Sequence, residues 1–215
     1  MLIEVISDVV CPWCFIGKRR LERALAARPE IGVEVVWRTF QLNPDMPPEG
    51  MDRQRYLADK FGSAEHATQV YEHISETGAG DGIAFDFAGI RRTPNTINAH
   101  RLIRLAGESG ENGLQDQVVE LLFRRYFIEG GDIGEAESLV EVAAQAGLDA
   151  DAVRAHLASD RDIEAVRAED MNARRMGVSG VPCFIANHRD AISGAQEPEV
   201  FLRVLEAAEQ AAAAE

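Results

Sequence analysis

Two of the chain's three cysteines, Cys11 and Cys14, stand two residues apart in Ser7-Asp8-Val9-Val10-Cys11-Pro12-Trp13-Cys14-Phe15-Ile16-Gly17-Lys18. Thiols at that spacing can exchange disulfides, hold a metal ion or merely fill space. Pro12 bears on the choice. Proline suits the first position of a helix, where its missing N–H is no loss, so Cys11 is predicted at a helix N-terminus. The positive end of the helix and its unpaired backbone N–H groups then face the Cys11 sulfur. Both favour a thiolate, the nucleophile of thiol–disulfide exchange. Cys14 falls one turn deeper, placed to attack a mixed disulfide on Cys11 and release the product.

The flanking segments supply the elements that must hold this pair. Leu2 to Ile6 alternates apolar residues with Glu4 and reads as a short buried strand. After the cysteines, Cys14, Leu21 and Leu25 share one helical stripe, with Gly17 and Ala24 between them, and Pro29 closes the helix. Val33 to Leu42 is rich in β-branched and aromatic residues and reads as a second strand. Strand, helix and strand make a βαβ unit. Residues 50–177 then read as helix after helix. Leu114, Val118, Leu121 and Leu122, widened by Phe123, Tyr126 and Phe127, predict a buried central helix. Leu139, Val142, Ala143 and Ala146 repeat the period. Pro94 fits the first turn of another helix, with Thr93 as its cap. Strand character returns at Val181 to Ala186, followed by a turn at His188-Arg189-Asp190. A short strand follows at Ala191 to Ser193, and then a closing helix over Glu197 to Ala213 whose Ala-rich end, from Ala207, frays. Two β regions this small must join into one sheet. The expected fold is therefore an α/β core with a helical lid inserted between its halves.

The bulk composition narrows the function. At 215 residues and 46% apolar, the chain can bury a core without staples. Three cysteines cannot build a disulfide framework. The opening residues read as no signal peptide, and no run reaches the roughly 18 apolar residues of a membrane helix. The expected setting is a reducing cytoplasm. A formal net charge of −14 argues against nucleic acid and against anionic membrane. The basic cluster Lys18-Arg19-Arg20 with Arg23 reads as a solvated helix face; the sharper reading puts its positive charge beside Cys11.

Taken together, these motifs resemble the thioredoxin superfamily, within it the DsbA-like group with a helical insertion, and in that group the FrnE-type branch. The likeness rests on Ser7-Asp8-x-x-Cys11-Pro12-Trp13-Cys14-Phe15-Ile16-Gly17-Lys18, on Arg92-Thr93-Pro94-Asn95-Thr96 with Ala99-His100-Arg101-Leu102, on Gly177-Val178-x-Gly180-Val181-Pro182, and on Ser193-Gly194-Ala195-Gln196. It implies an α/β thioredoxin-like fold with a large inserted all-helical domain. The discontinuous core would cover 1–45 and 178–215, and the insertion 46–177. It also implies a cis peptide bond between Val181 and Pro182, lying against the two cysteines. The implied activity is that of a thiol–disulfide oxidoreductase or disulfide isomerase, with Cys11 attacking, Cys14 resolving and Pro182 completing the catalytic set. Pro12, Trp13 and Val181 would meet the substrate, with Trp13 shaping the surface around an exposed sulfur. Asn95 and His100, with Asn98, would line a small-molecule pocket or serve as helix caps and surface hydrogen-bonders. Asp8 suits a capping role at the turn, or proton transfer. The expected partners are thiol or disulfide substrates, protein or small molecule, with glutathione as a redox partner and no bound cofactor. The oligomeric state is left open, a homodimer included.

Cys183 departs from the resemblance, which more often has a threonine or a bulky residue after that proline. It reads as a small buried hydrophobe, or as a third redox partner. Three rivals use the same residues. Cys11, Cys14, Cys183 and His188 match the count of a structural zinc site, but Pro12-Trp13 between two ligands and a Cys-x4-His across a strand weigh against it. His66 and His73 read as surface histidines rather than ligands. The kappa-class glutathione transferases and hydroxychromene carboxylate isomerases resemble this chain too, but usually carry serine where Cys11 stands. A binding scaffold with a redox-sensing dithiol is the non-enzymatic rival.

Overall fold

The computed structural model describes the backbone of residues 1–213 and the side chains of residues 1–210. In chain order its elements are β1 (Leu2–Ser7), α1 (Pro12–Ala27), β2 (Glu34–Thr39), β3 (Met51–Asp52), α2 (Arg53–Phe61), α3 (Ala64–Gly80), β4 (Arg92–Thr93), α4 (Ile97–Glu108), α5 (Leu114–Phe127), α6 (Ala136–Ala146), α7 (Ala150–Leu157), α8 (Ile163–Arg175), β5 (Cys183–Ala186), β6 (Asp190–Ser193) and α9 (Pro198–Ala213). Helix α9 runs through Ala207, and residues 214–215 of the expected fraying end lie outside the described residues.

Four strands form one sheet in the order β2-β1-β5-β6. β1 and β2 are parallel, as a βαβ unit requires, while β5 pairs antiparallel with both β1 and β6. The alternation of strand residues sorts the two faces. Ile3, Val5, Phe184 and Ile192 join the main core with Phe15 of α1 and Phe201 of α9. Ile6 and Cys183 turn to the other face and pack with Phe40 and with Ala173 of α8. At the open edge, β2 is closed off by side chains. Gln115 Oε1 accepts from the Trp37 N–H (2.9 Å), and Glu169 Oε2 accepts from the Thr39 N–H (3.1 Å). That satisfies donors an edge strand would otherwise present to another chain.

The expected central helix is α5: Phe123, Tyr126 and Phe127 are all fully buried. Phe15 of α1 stacks on Phe123 at 5.0 Å and meets Phe85 edge-on at 6.1 Å, and Phe85 meets Phe127 at 5.4 Å. Helix α4 carries a buried arginine, Arg101, whose guanidinium donates to the carbonyls of His156 (2.6 Å), Leu157 (3.2 Å), Ser159 (2.6 Å) and Arg161 (2.7 Å).

Three expectations are corrected. The helix predicted from Pro94 begins at Ile97, with Thr96 as its N-cap. Thr93 is instead in β4, paired with Met51, and its hydroxyl accepts from Arg53 (3.1 Å). The Asn95 side chain accepts the Ile97 N–H (3.0 Å), so an Asx turn intervenes before the helix. Asp190, expected in the turn, opens β6 opposite Ala186. The basic cluster on α1 is only in part a solvated face: Arg23 is exposed, but the cluster's cations are engaged by acidic partners. Lys18 is buried and held by Glu22, Asp116 and Glu120. Burial pulls its pKa down, but Asp116 and Glu22 more than offset that, leaving it raised. Arg20 and Arg23 both pair with the buried Asp81. The cations are spent joining α1 to α5 and to the end of α3.

Candidate functional site

Cys11 is the N-cap of α1 and Pro12 its first residue, with no side chain capping the helix. The turn before it is closed by the Cys11 N–H donating to the Asp8 carbonyl (3.0 Å). Opposite lies the segment entering β5, where the Val181–Pro182 peptide is cis. The Cys11 thiol donates to the Val181 carbonyl (3.5 Å), which ties residues 170 positions apart. Contrary to the expectation of an exposed sulfur, Cys11 is only 3% accessible, with the Val181 carbonyl against its sulfur.

Gly17 makes this approach possible. A Cβ there would stand 2.9 Å from Phe184 Cζ and 3.0 Å from Pro182 Cγ. One turn after Cys14, the helix thus rests its bare backbone against the cis proline. Gly17→Val is expected to push α1 off β5 and destabilise the protein by about 1–3 kcal/mol, the usual cost of overpacking a core. Urea unfolding measures it; an unchanged midpoint would show that the helix has slack here.

Cys14 is 1% exposed. Burial pushes its thiol well up, and so do the hydrogen bond to the Cys11 sulfur and that sulfur's charge; the Ser7 hydroxyl and the Asp8 backbone work weakly the other way. Cys14 therefore keeps its proton while the pair is reduced, and it must lose that proton before it can attack. Cys183 is also buried, which raises its thiol pKa. Its side chain lies in the cluster of Ile6, Phe40 and Ala173, across the sheet from α1. That packing is a small hydrophobe's setting.

The remaining expected residues scatter. Trp13 is half-buried with its ring 6.1 Å from that of His73 on α3. His66 and His73 are both exposed, as expected of surface histidines, and His66 likewise has a ring beside it, that of Phe61 at 6.0 Å. Asn95 is occupied in its own loop, its amide donating to the Met46 carbonyl (2.7 Å) while its oxygen holds Ile97. Asn98 accepts from Arg101 (2.8 Å). These are the expected capping and surface bonds, and Asn95 and Asn98 also both border a cavity of about 440 Å³. Asp8 is a correction: its side chain does not cap α1. Its Oδ2 accepts from the Leu42 N–H (2.8 Å), and its Oδ1 faces His100 Nε2 at 3.4 Å. Both residues are buried. The zinc set does not assemble either. His188 points at Glu4 (2.6 Å), and among the described residues no three His, Cys, Asp or Glu side chains converge. Sequence reasoning gave Ser7 and Gly17 no role of their own, although both stand in the first motif.

A family model described as the DSBA-like thioredoxin domain matches residues 2–206 of this chain. A solved structure described as a probable DsbA oxidoreductase from Streptomyces coelicolor is 36% identical; the match spans 98% of this chain and 90% of that one, with a TM-score of 0.87. The cytosolic disulfide reductase DsbM from Pseudomonas aeruginosa, solved with GSH, is 19% identical over 98% of this chain and all of its own, at a TM-score of 0.63. A 2-hydroxychromene-2-carboxylate isomerase is 16% identical over 99% of this chain and 96% of its own, at 0.70. The last two likenesses concern the fold alone.

Proposed function

The chain belongs to the DSBA-like thioredoxin domain family, with a thioredoxin-like core and a large helical insertion, and from that membership we propose that it is a thiol–disulfide oxidoreductase or disulfide isomerase. Cys11 attacks a substrate disulfide and Cys14 resolves the mixed disulfide. Pro182, with the Val181 backbone, positions the substrate, and Pro12 and Trp13 border it. The observation that carries this reading is the Cys11 sulfur at a helix N-terminus, against the Val181 carbonyl and the cis proline. An extended substrate can pair with that Val181 backbone as a strand would.

We read residues 1–45 and 178–215 as the thioredoxin-like unit, residues 46–177 as the insertion, and the whole as FrnE-type. Glutathione as the redox partner and a cytoplasmic setting belong to this proposal; DsbM, a cytosolic disulfide reductase solved with GSH, shares the fold. Among the described residues no helix is long and apolar enough to cross a membrane. The isomerase likeness is weaker support for its own chemistry, because a dithiol stands where those enzymes usually have serine.

Cys14→Ser supplies the test. With the resolving sulfur gone, a disulfide substrate should remain attached to Cys11, and peptide mapping by mass should find one adduct there. An adduct on Cys183, or none on Cys11, would sink the assignment.

A further inference from the structure

Three buried polar atoms at the end of β1, just after it and on α4 have no hydrogen-bond partner among the described residues: Ser7 Oγ, Asp8 Oδ1 and His100 Nε2. Asp8 Oδ1 and His100 Nε2 face each other at 3.4 Å without a hydrogen bond, and an unsatisfied buried group costs about 1–3 kcal/mol, so this set needs an account. Ser7 Oγ lies close enough to the Cys14 sulfur to draw its pKa down weakly, though no hydrogen bond of good geometry joins them. Ser7 and His100 both line a small void of about 10 Å³, bordered also by Val9, Trp37, Arg38, Ile103 and Val119. That is about the room one water needs. His100 also lines a second, open cleft of about 420 Å³ behind the β2 edge. The imidazole is thus shared between solvent on one side and the void beside Ser7 on the other.

We propose that Ser7, His100 and Asp8 form the route by which Cys14 loses its proton, from its sulfur through the Ser7 hydroxyl and a water in the void to the imidazole, and out into the cleft behind β2. The inference rests on the oxidoreductase reading. In the step itself the Cys14 S–H bond breaks and its proton enters the relay. The electron pair left on Cys14 attacks the Cys11 sulfur of the mixed disulfide. The bond between Cys11 and the substrate breaks, and its electron pair leaves on the substrate thiolate. The dithiol has lost two electrons and the substrate disulfide has gained them. His100 takes the proton at Nε2 and yields one to the cleft from Nδ1, as a shuttling histidine does. The Asp8 carboxylate, 3.4 Å from Nε2, balances the imidazolium in between. The other charged groups around this cleft are Glu34 and Arg38 of β2, Arg104 and Glu108 of α4, Glu111, and Glu169 of α8. Acids outnumber bases there, which favours a transient cation. The front is closed, since Cys11 is covered by Val181 and would carry the substrate as well.

The reaction of the reduced protein with 5,5′-dithiobis(2-nitrobenzoate) separates the two steps. The first thionitrobenzoate released reports Cys11 attack and the second reports Cys14 closing the disulfide. His100→Gln and Ser7→Ala are each expected to slow the second release about tenfold or more near neutral pH, the lower end of general-base effects. The first release should keep its rate, and the deficit should shrink as pH rises and hydroxide takes over. A solvent deuterium effect confined to the second release of the unaltered protein is expected too, a measurement that needs no variant. The inference is overturned if both variants, melting normally, close at the original rate, if both releases slow alike, or if the deuterium effect is absent. A single release in the unaltered protein would instead overturn the oxidoreductase reading beneath it.

Discussion

Replacing Cys11 with serine is expected to reduce disulfide turnover about a thousandfold or more, the scale of losing an activated nucleophile. A hydroxyl at the N-cap of α1 meets the same helix end and the same Val181 carbonyl, but it is not ionised at neutral pH and cannot leave as a thiolate. Serine is also a good N-cap, so the variant should fold with little change in stability, and the loss should be chemical rather than structural. Turnover of a small dialkyl disulfide with glutathione as reductant measures the activity, and thermal melting checks the fold. If Cys11→Ser keeps its activity while Cys14→Ser or a Cys183 variant loses it, the roles assigned to the thiols are wrong.

Arg101→Met is expected to cost about 3–5 kcal/mol, the range for removing one partner of a buried charged network. The side chain is 1% exposed and gathers four carbonyls where α7 ends, besides Asn98. Helix ends leave carbonyls without partners, and here a cation three helices away satisfies them. Methionine preserves most of the volume but leaves those oxygens buried and bare. Urea unfolding should show the loss as a lower midpoint. A change below about 1 kcal/mol would mean that water reaches these carbonyls freely.

How much of this was legible in the chain follows from the distance over which each contact acts. The βαβ start, the buried α5 and the hairpin of β5 and β6 could be read from local period and composition, because alternation and a 3.6-residue repeat are written in neighbouring residues. The cis bond after Val181 came from the resemblance. What stayed hidden depends on partners far along the chain. Lys18 looked solvated because Asp116 lies 98 residues away. Asp8 looked like a cap, yet its carboxylate reaches Leu42 and His100. Gly17 looked like a gap in a stripe until β5 came to rest on it. His100 and Arg101 are adjacent in one motif but serve different sides of α4, one toward Asp8 and one toward α7.

The rings of Phe15, Phe85, Phe123 and Phe127 form an aromatic weld between α1 and the helical insertion. Prising it apart would wet aromatic rings of 150–250 Å² each, roughly 4–6 kcal/mol per ring at 25 cal/mol per Å². The insertion therefore cannot swing like a jaw to admit a substrate. What lies against the sulfur is the Val181 carbonyl of the cis Val181–Pro182 segment, so access depends on that short stretch rather than on a domain.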